Sequence, residues 1–249
     1  MIIFAPILRG DEPFEDTIVA NTHELFRAKT LRILLNNITI VFYTTCMISC
    51  ILLAAGASTR FGSPKALVRI GANSVIERIL TMLFCSKISE VIVVLGADAE
   101  KIAPKIPNNS GIRVVTNESF SQGQTSSFKA GLTNLDSNTE GILLMPVDMP
   151  FIKKETIDLL IEVFLKNRPL IVVPTYEGKN GHPPVFSKML FRDLKCLKND
   201  EPLSTLLSKY EKETLKLPVN DAGVIRSFNT MQEFKQLLSL LTPSKLSGA

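Results

Sequence analysis

Between Leu52 and Lys65 the chain reads LLAAGASTRFGSPK, a short apolar run that breaks into small residues and then into cations. Ala54, Ala55, Gly56 and Ala57 let a backbone pass close to a ligand. Successive N–H groups in such a turn can form a concave anion site. Ser58 adds a hydroxyl, and Arg60 and Lys65 add two cations on the same loop. Arg grips a phosphate in bidentate fashion, whereas Lys acts as a mobile point charge. The loop has neither the G-K-[ST] ending of a Walker A motif nor the spacing of G-x-G-x-x-G. Taken alone it reads equally well as a phosphate-binding loop or as a small-residue turn with solvated cations.

A second candidate lies in GILLMPVDMPFI, where Asp148 follows a buried apolar run and is bracketed by Pro146 and Pro150. Proline fixes φ and ends regular structure, so the carboxylate stands at the end of a strand. There it can hold Mg²⁺ against phosphate oxygens, or cap the helix expected at Lys153–Lys166; the first loop favours the metal. A third candidate is SQGQTSSFKAGL, where Gly123 permits a turn and Gln124, Thr125, Ser126 and Ser127 present donors at a helix N-terminus. His182 lies in a Gly-His-Pro loop, which reads first as a rigid connection.

These residues need a scaffold, and the chain alternates strand and helix after Met47. Strands are expected at Ile48–Leu53, Val91–Leu95, Arg113–Thr116, Gly141–Val147, Leu170–Pro174 and Thr214–Pro218. Helices are expected at Ser74–Phe84, Ala99–Lys105, Thr125–Leu135, Lys153–Lys166, Lys188–Leu194, Pro202–Tyr210 and Met231–Leu241. Strands apolar on both faces, alternating with helices, predict a mostly parallel sheet covered on both sides, an α/β three-layer sandwich. Ligands of such folds bind beyond the carboxyl ends of the strands, so the loops after Leu53, Thr116, Val147 and Pro174 are the expected site.

Composition excludes several alternatives. The 249 residues carry 28 basic and 24 acidic side chains, too mild an excess to argue for nucleic acid. There is no Trp and there are 3 Tyr, so no stacking platform for single strands is expected. Cys46, Cys50, Cys85 and Cys196 have no C-x-x-C spacing, and His23 and His182 are far apart, so no structural zinc is expected. Scattered cysteines fit a reducing cytoplasm, with the thiols packed as small apolar groups.

The first loop resembles the signature L-A-A-G-x-S-x-R-M-G-x-x-K of MobA-like nucleotidyltransferases, most closely the molybdenum cofactor cytidylyltransferases, with Phe61 in place of Met. The Asp148 segment is similar to that family's P-x-D-M-P element, Ser121–Leu132 to its G-x-x-x-S-L-x-x-G-L element, and the His182 loop to its G-H-P-x-x-F element. The resemblance runs from about Met47 to Leu241. It implies nucleotide contacts at Ala54, Ala55, Gly56, Ser58, Ser126 and Ser127. It assigns catalytic roles to Arg60, Lys65 and Asp148, metal ligation to Asp148 and Asn229, and acceptor contacts to His182 and Asp200. The implied reaction moves CMP from CTP, with Mg²⁺, to the phosphate of molybdenum-bound molybdopterin. A xanthine-dehydrogenase-type apoenzyme is the implied recipient of the product, and Ala55 is the feature that favours CTP.

Two departures bear on the acceptor and the metal. Pro202, Leu203 and Ser204 replace a small pair and a basic residue after Asp200. Ser227 and Asn229 stand where two Asp are usual in the family. Two alternatives therefore stay open: a transferase of the same fold with a sugar or alditol phosphate acceptor, and a non-catalytic protein that binds and delivers the cofactor.

The first 46 residues fit the domain poorly. The uncharged run Ile38–Thr59 is long enough to suggest a membrane span, but its second half reads as a strand entering a turn, and no membrane segment is expected. The expected organisation is an extension over 1–46, or a start at Met47, then a domain over 47–241 and a tail over 242–249.

Overall fold

The computed structural model describes residues 28–35, 38–45 and 47–241, and the chain divides into two compact units between Met47 and Ile48. His23, Cys46 and the 242–249 tail lie outside the described residues. In the first unit, β1 (Ala28–Leu35) and β2 (Ile38–Thr45) pair antiparallel, from Ala28↔Thr45 to Leu35↔Ile38.

The second unit is built on one sheet. Its strands are β3 (Met47–Ala54), β6 (Glu90–Leu95), β7 (Ile112–Thr116), β8 (Thr139–Pro146), β9 (Ile171–Tyr176), β10 (Lys179–Asn180), β11 (Val185–Ser187) and β12 (Thr214–Pro218). A separate small ribbon pairs β4 (Arg69–Ile70) with β5 (Asn73–Ser74). The sheet order is β10-β9-β11-β8-β3-β6-β7, with β12 on β9. The pairs β3–β6, β6–β7 and β9–β12 are parallel, whereas β11 is antiparallel to both β8 and β9. The sequence expectation omits β10 and β11, because two or three residues between glycine and proline show no readable period.

Seven α-helices are described: α1 (Val75–Phe84), α2 (Ala99–Ile102), α3 (Gln124–Leu132), α4 (Lys154–Asn167), α5 (Phe191–Cys196), α6 (Ser204–Lys209) and α7 (Met231–Leu241). Helix α1 begins on a capping box, in which Ser74 and Glu77 satisfy each other's exposed backbone donors. The helices flank both faces of the sheet, and strand alternation divides the core in two. Cys50, Leu52 and Ala54 of β3 pack with α1, α4 and α7, while Ile51 and Leu53 pack with α3, α5 and α6. β6 divides the same way, Val91, Val93 and Leu95 against Ile92 and Val94. That double burial is why these strands read as unbroken apolar runs.

The run Ile38–Thr59 is divided between β2, β3 and a loop, and no helix of the described residues is long and apolar enough to cross a membrane. Cys50 is buried as expected, and burial pushes its thiol pKa up. Cys85 and Cys196 are instead exposed, because each stands at the end of a helix where the chain turns through solvent.

Candidate active site

The first loop leaves β3 at Ala54 and is folded back on itself. Ser58 adopts a left-handed φ of 50°, and its carbonyl accepts the N–H groups of Phe61 and Gly62 at 2.9 and 3.1 Å. Its hydroxyl oxygen accepts the N–H of Lys65 at 3.3 Å. Phe61 pins the loop to the core, with its ring 5.5 Å from that of Phe228 and 6.3 Å from that of Phe234. The Phe-for-Met departure is thus a packing feature. Pinned at both points, the loop aims Lys65 inward.

Lys65 reaches two distant elements. Its Nζ donates to Asn229 Oδ1 at 2.8 Å and to Asp148 Oδ2 at 3.3 Å, and it lies 5.7 Å from the centre of the Phe228 ring. Asp148 follows β8, whose exit is held by Val147 N–H donating to Leu53 C=O at 3.1 Å. The Asp148 carbonyl accepts Phe228 N–H at 3.2 Å, which brings the 227–229 segment alongside. Three segments far apart in sequence therefore meet at one ammonium.

This cluster lines a cavity of about 330 Å³, together with Ala55, Gly56, Ser58, Arg60, Gln124 and Ser127. Arg60 makes no ion pair among the described residues. A second cavity of about 450 Å³ shares Gln124, Pro146 and Asp148 with the first, and adds Lys179, Asn180, His182 and Ser227. Asp148 thus stands between two chambers, both reached from the carboxyl ends of the strands.

The expected residues distribute unevenly. Ala55, Gly56, Ser58, Arg60, Lys65, Ser127, Asp148 and Asn229 line the first cavity, and His182 lines the second. Ala54 is buried in the core. Ser126 is turned into the fold: it receives Asn117 Nδ2 at 3.0 Å and faces the carbonyls of Ser119 and Gly123, both at 2.9 Å. Asp200 is exposed and lines neither cavity. Its loop is tied to α3, because Lys129 donates to Leu197 C=O and Asn199 Oδ1 at 2.9 and 3.0 Å.

Sequence reading passed over Asn117, Lys179, Asn180 and Asp221. Asn117 is buried just beyond β7 and donates to both Ser126 Oγ and Ser127 Oγ at 3.0 Å. Its position after a strand's carboxyl end was the available signal. Asp221 is the carboxylate that serves α4, donating nothing and accepting Lys153 N–H at 2.8 Å, so the capping alternative for Asp148 is not the arrangement found.

Two oxygens, Asp148 Oδ2 and Asn229 Oδ1, converge within 3.3 Å of one point, the position of the Lys65 Nζ. Both are hard donors, which suits Mg²⁺, a cation that takes few protein ligands and completes its shell with water and phosphate. No group of three or more His, Cys, Asp or Glu gathers among the described residues. His182 is held on its backbone by N–H donation to Val224 C=O at 2.7 Å, and its Nδ1 is buried without a hydrogen-bond partner. Burial lowers its pKa, partly opposed by the negative charge of Asp148, so the ring is neutral at neutral pH.

Residues 50–214 match the family model of the MobA-like NTP transferase domain. The molybdenum cofactor cytidylyltransferase of Escherichia coli is 29% identical over 143 residues, covering 57% of this chain and 70% of that one. Nicotine blue oxidoreductase of Paenarthrobacter nicotinovorans is 32% identical over 144 residues, covering 54% and 68%. A probable molybdenum cofactor guanylyltransferase of Aquifex aeolicus is 25% identical over 194 residues, covering 77% and 90%. Among solved structures, Rv0371c of Mycobacterium tuberculosis is 27% identical with a TM-score of 0.70, covering 78% of this chain and 98% of that one. Its complex with manganese superposes with a TM-score of 0.65 at 26% identity, covering 78% and 98%. With the sheet, the loop after β3 and the Asp148 crevice all in place, this chain belongs to the MobA-like NTP transferase family.

Proposed function

We propose that the protein transfers CMP from CTP to the terminal phosphate of molybdenum-bound molybdopterin, releasing pyrophosphate and forming the cytosine dinucleotide cofactor. The observation that carries this reading is the meeting of Lys65, Asp148 and Asn229 at the wall between two cavities. One chamber offers the cations and backbone turn that a triphosphate needs, and the other has room for an acceptor. The similarity to the E. coli cytidylyltransferase supports the choice of acceptor and of CTP, and the guanylyltransferase relatives make the base the point to test.

In this reading the triphosphate lies along Gly56–Arg60, with Arg60 and Lys65 bound to its phosphates. An oxygen of the acceptor phosphate forms a bond to the α-phosphorus. The bond from that phosphorus to the bridging oxygen breaks, and pyrophosphate leaves with the electron pair. The nucleophile is already an anion, so no base is required, and a neutral His182 is suited to hydrogen bonding the acceptor. Asp148 and Asn229 would hold Mg²⁺, which supplies charge neutralisation on the α-phosphate and the leaving group. The manganese complex of Rv0371c supports a divalent cation in this fold. Catalysis is then positioning plus electrostatics.

The test is pyrophosphate release from CTP, GTP and UTP, each with Mg²⁺ and molybdenum-loaded molybdopterin. Turnover selective for CTP is expected, with Asp148→Ala lowering the rate by more than about tenfold. Equal turnover with GTP would remove the base assignment, and near-normal turnover of Asp148→Ala would remove the mechanism. Ser227 in the second cavity favours a second reading, a different phosphorylated acceptor, which a panel of sugar and alditol phosphates separates.

A further inference from the structure

The segment from Asp221 to Asn229 lines both cavities, with Val224, Ile225 and Ser227 on the second and Asn229 on the first. It also holds three site elements. Val224 C=O accepts His182 N–H at 2.7 Å, and Phe228 N–H donates to Asp148 C=O at 3.2 Å. Asn229 Oδ1 receives Lys65 at 2.8 Å. The geometry of the site therefore depends on where this segment begins and how firmly it is held there.

One buried carboxylate fixes that beginning. Asp221 is 3% exposed, and its two oxygens accept three neutral donors. Oδ2 takes the N–H of Lys153 at 2.8 Å and the hydroxyl of Thr156 at 2.7 Å. Oδ1 takes the N–H of Gly223 at 2.9 Å. The first two belong to the start of α4, where Lys153 stands at the N-cap position without a capping side chain. Asp221 holds the N-cap residue by its N–H from 68 residues away, and its charge suits the positive end of the helix dipole. At Gly223 a Cβ would come within 2.4 Å of Phe151 C=O, so the segment is pressed onto the chain just ahead of α4.

We propose that Asp221 is a positioning residue for the reaction: by tying the 221–229 segment to α4, it sets Asn229 and His182 relative to Asp148. The proposal rests on the reading that the first cavity takes a nucleotide with a divalent cation. One buried carboxylate thus ties the segment that carries Val224, Ser227 and Asn229 to the start of α4, a helix that itself lines neither cavity. An anchor of this kind acts as outer-shell residues do, through the placement of the groups that touch the ligand.

The test uses the full chain with Asp221→Asn, which keeps the shape but leaves one oxygen for three donors and turns an N–H₂ toward a backbone N–H, that of Lys153 or that of Gly223. Amide exchange of residues 223–229 is expected to quicken by roughly tenfold or more. Mn²⁺ affinity in the presence of CTP, read by electron paramagnetic resonance, is expected to fall by about tenfold, while metal-free CTP affinity stays within about twofold. Leu194→Ala is the control, because Leu194 is fully buried in the core on the other sheet face and lines neither cavity. It should lower the melting temperature while leaving both readouts within about twofold of wild type. Thr156→Val removes one of the three donors, gives an intermediate effect, and carries the test if Asp221→Asn does not fold. Unchanged exchange and unchanged Mn²⁺ affinity in Asp221→Asn would overturn the proposal, as would equal losses in Leu194→Ala. A wild type that binds no Mn²⁺ with CTP defeats the nucleotide–cation reading instead, and the exchange comparison then decides the anchor by itself.

Discussion

Lys65 is a single ammonium between two oxygen ligands, and that position gives it two opposing effects. It is the cation nearest Asp148, and it holds the two oxygens that a divalent ion would use. Lys65→Met should therefore lower turnover by at least about tenfold, because the proposed reaction would lose a charge from the triphosphate cavity. The same change should tighten Mn²⁺ binding to the nucleotide-free protein, because no ammonium competes for Asp148 and Asn229. Paramagnetic resonance titration checks the second outcome independently of any turnover. His182 supplies a prediction in pH. The unfolded imidazole takes a proton near its ordinary value of about 6.5, whereas burial keeps the folded ring neutral to lower pH. Below that ordinary value the unfolded state binds more protons, so stability falls as pH drops and levels off once the folded ring also titrates. Urea unfolding at pH 7.5 and pH 5 should show this loss, and His182→Gln should reduce it.

At the scale of elements, the turn into α3 depends on one glycine. Gly123 has φ 118°, and a Cβ there would stand 3.0 Å from Asn199 C=O, in the loop that Lys129 ties to α3. Gly123→Ala should destabilise the protein by about 1–3 kcal/mol and weaken nucleotide binding, because the turn and the helix N-terminus share the first cavity. Calorimetric melting with and without CTP measures both effects. The loop after β3 was readable in sequence because its small residues and its two cations fall within one short stretch. In the 221–229 segment only Ser227 and Asn229 were marked, through the family resemblance; nothing local in NDAGVIRSFN marks Asp221 or shows that the segment serves α4 and the His182 loop.

At the scale of the molecule, every buried residue of both core clusters described lies between Ile48 and Leu237. A chain shortened to begin at Met47 should keep a cooperative thermal transition within about 2 °C of the full chain, as measured by circular dichroism. A shift of many degrees would show that the first unit contributes to the stability of the second. The mixed sheet also explains one miss at this scale. β11 enters antiparallel between β8 and β9, and the stretch that leads into it, from β10 to His182, borders the second cavity and has no place in a parallel βαβ reading.

The sequence by itself determined the alternation of strand and helix, the two-sided burial of the central strands, and the loops that line the two cavities. Those properties are local: a strand buried on both faces must be apolar throughout, and a phosphate loop must be small and basic. Only the tertiary structure decided which candidates share a site. It brought Lys65, Asp148 and Asn229 to one point, turned Ser126 inward, left Asp200 outside both cavities, and placed Asp221, not Asp148, at the start of α4. A residue's type states which contacts it can make, but the partner across 83 or 164 residues of chain is chosen by the packing of the sheet and its helices.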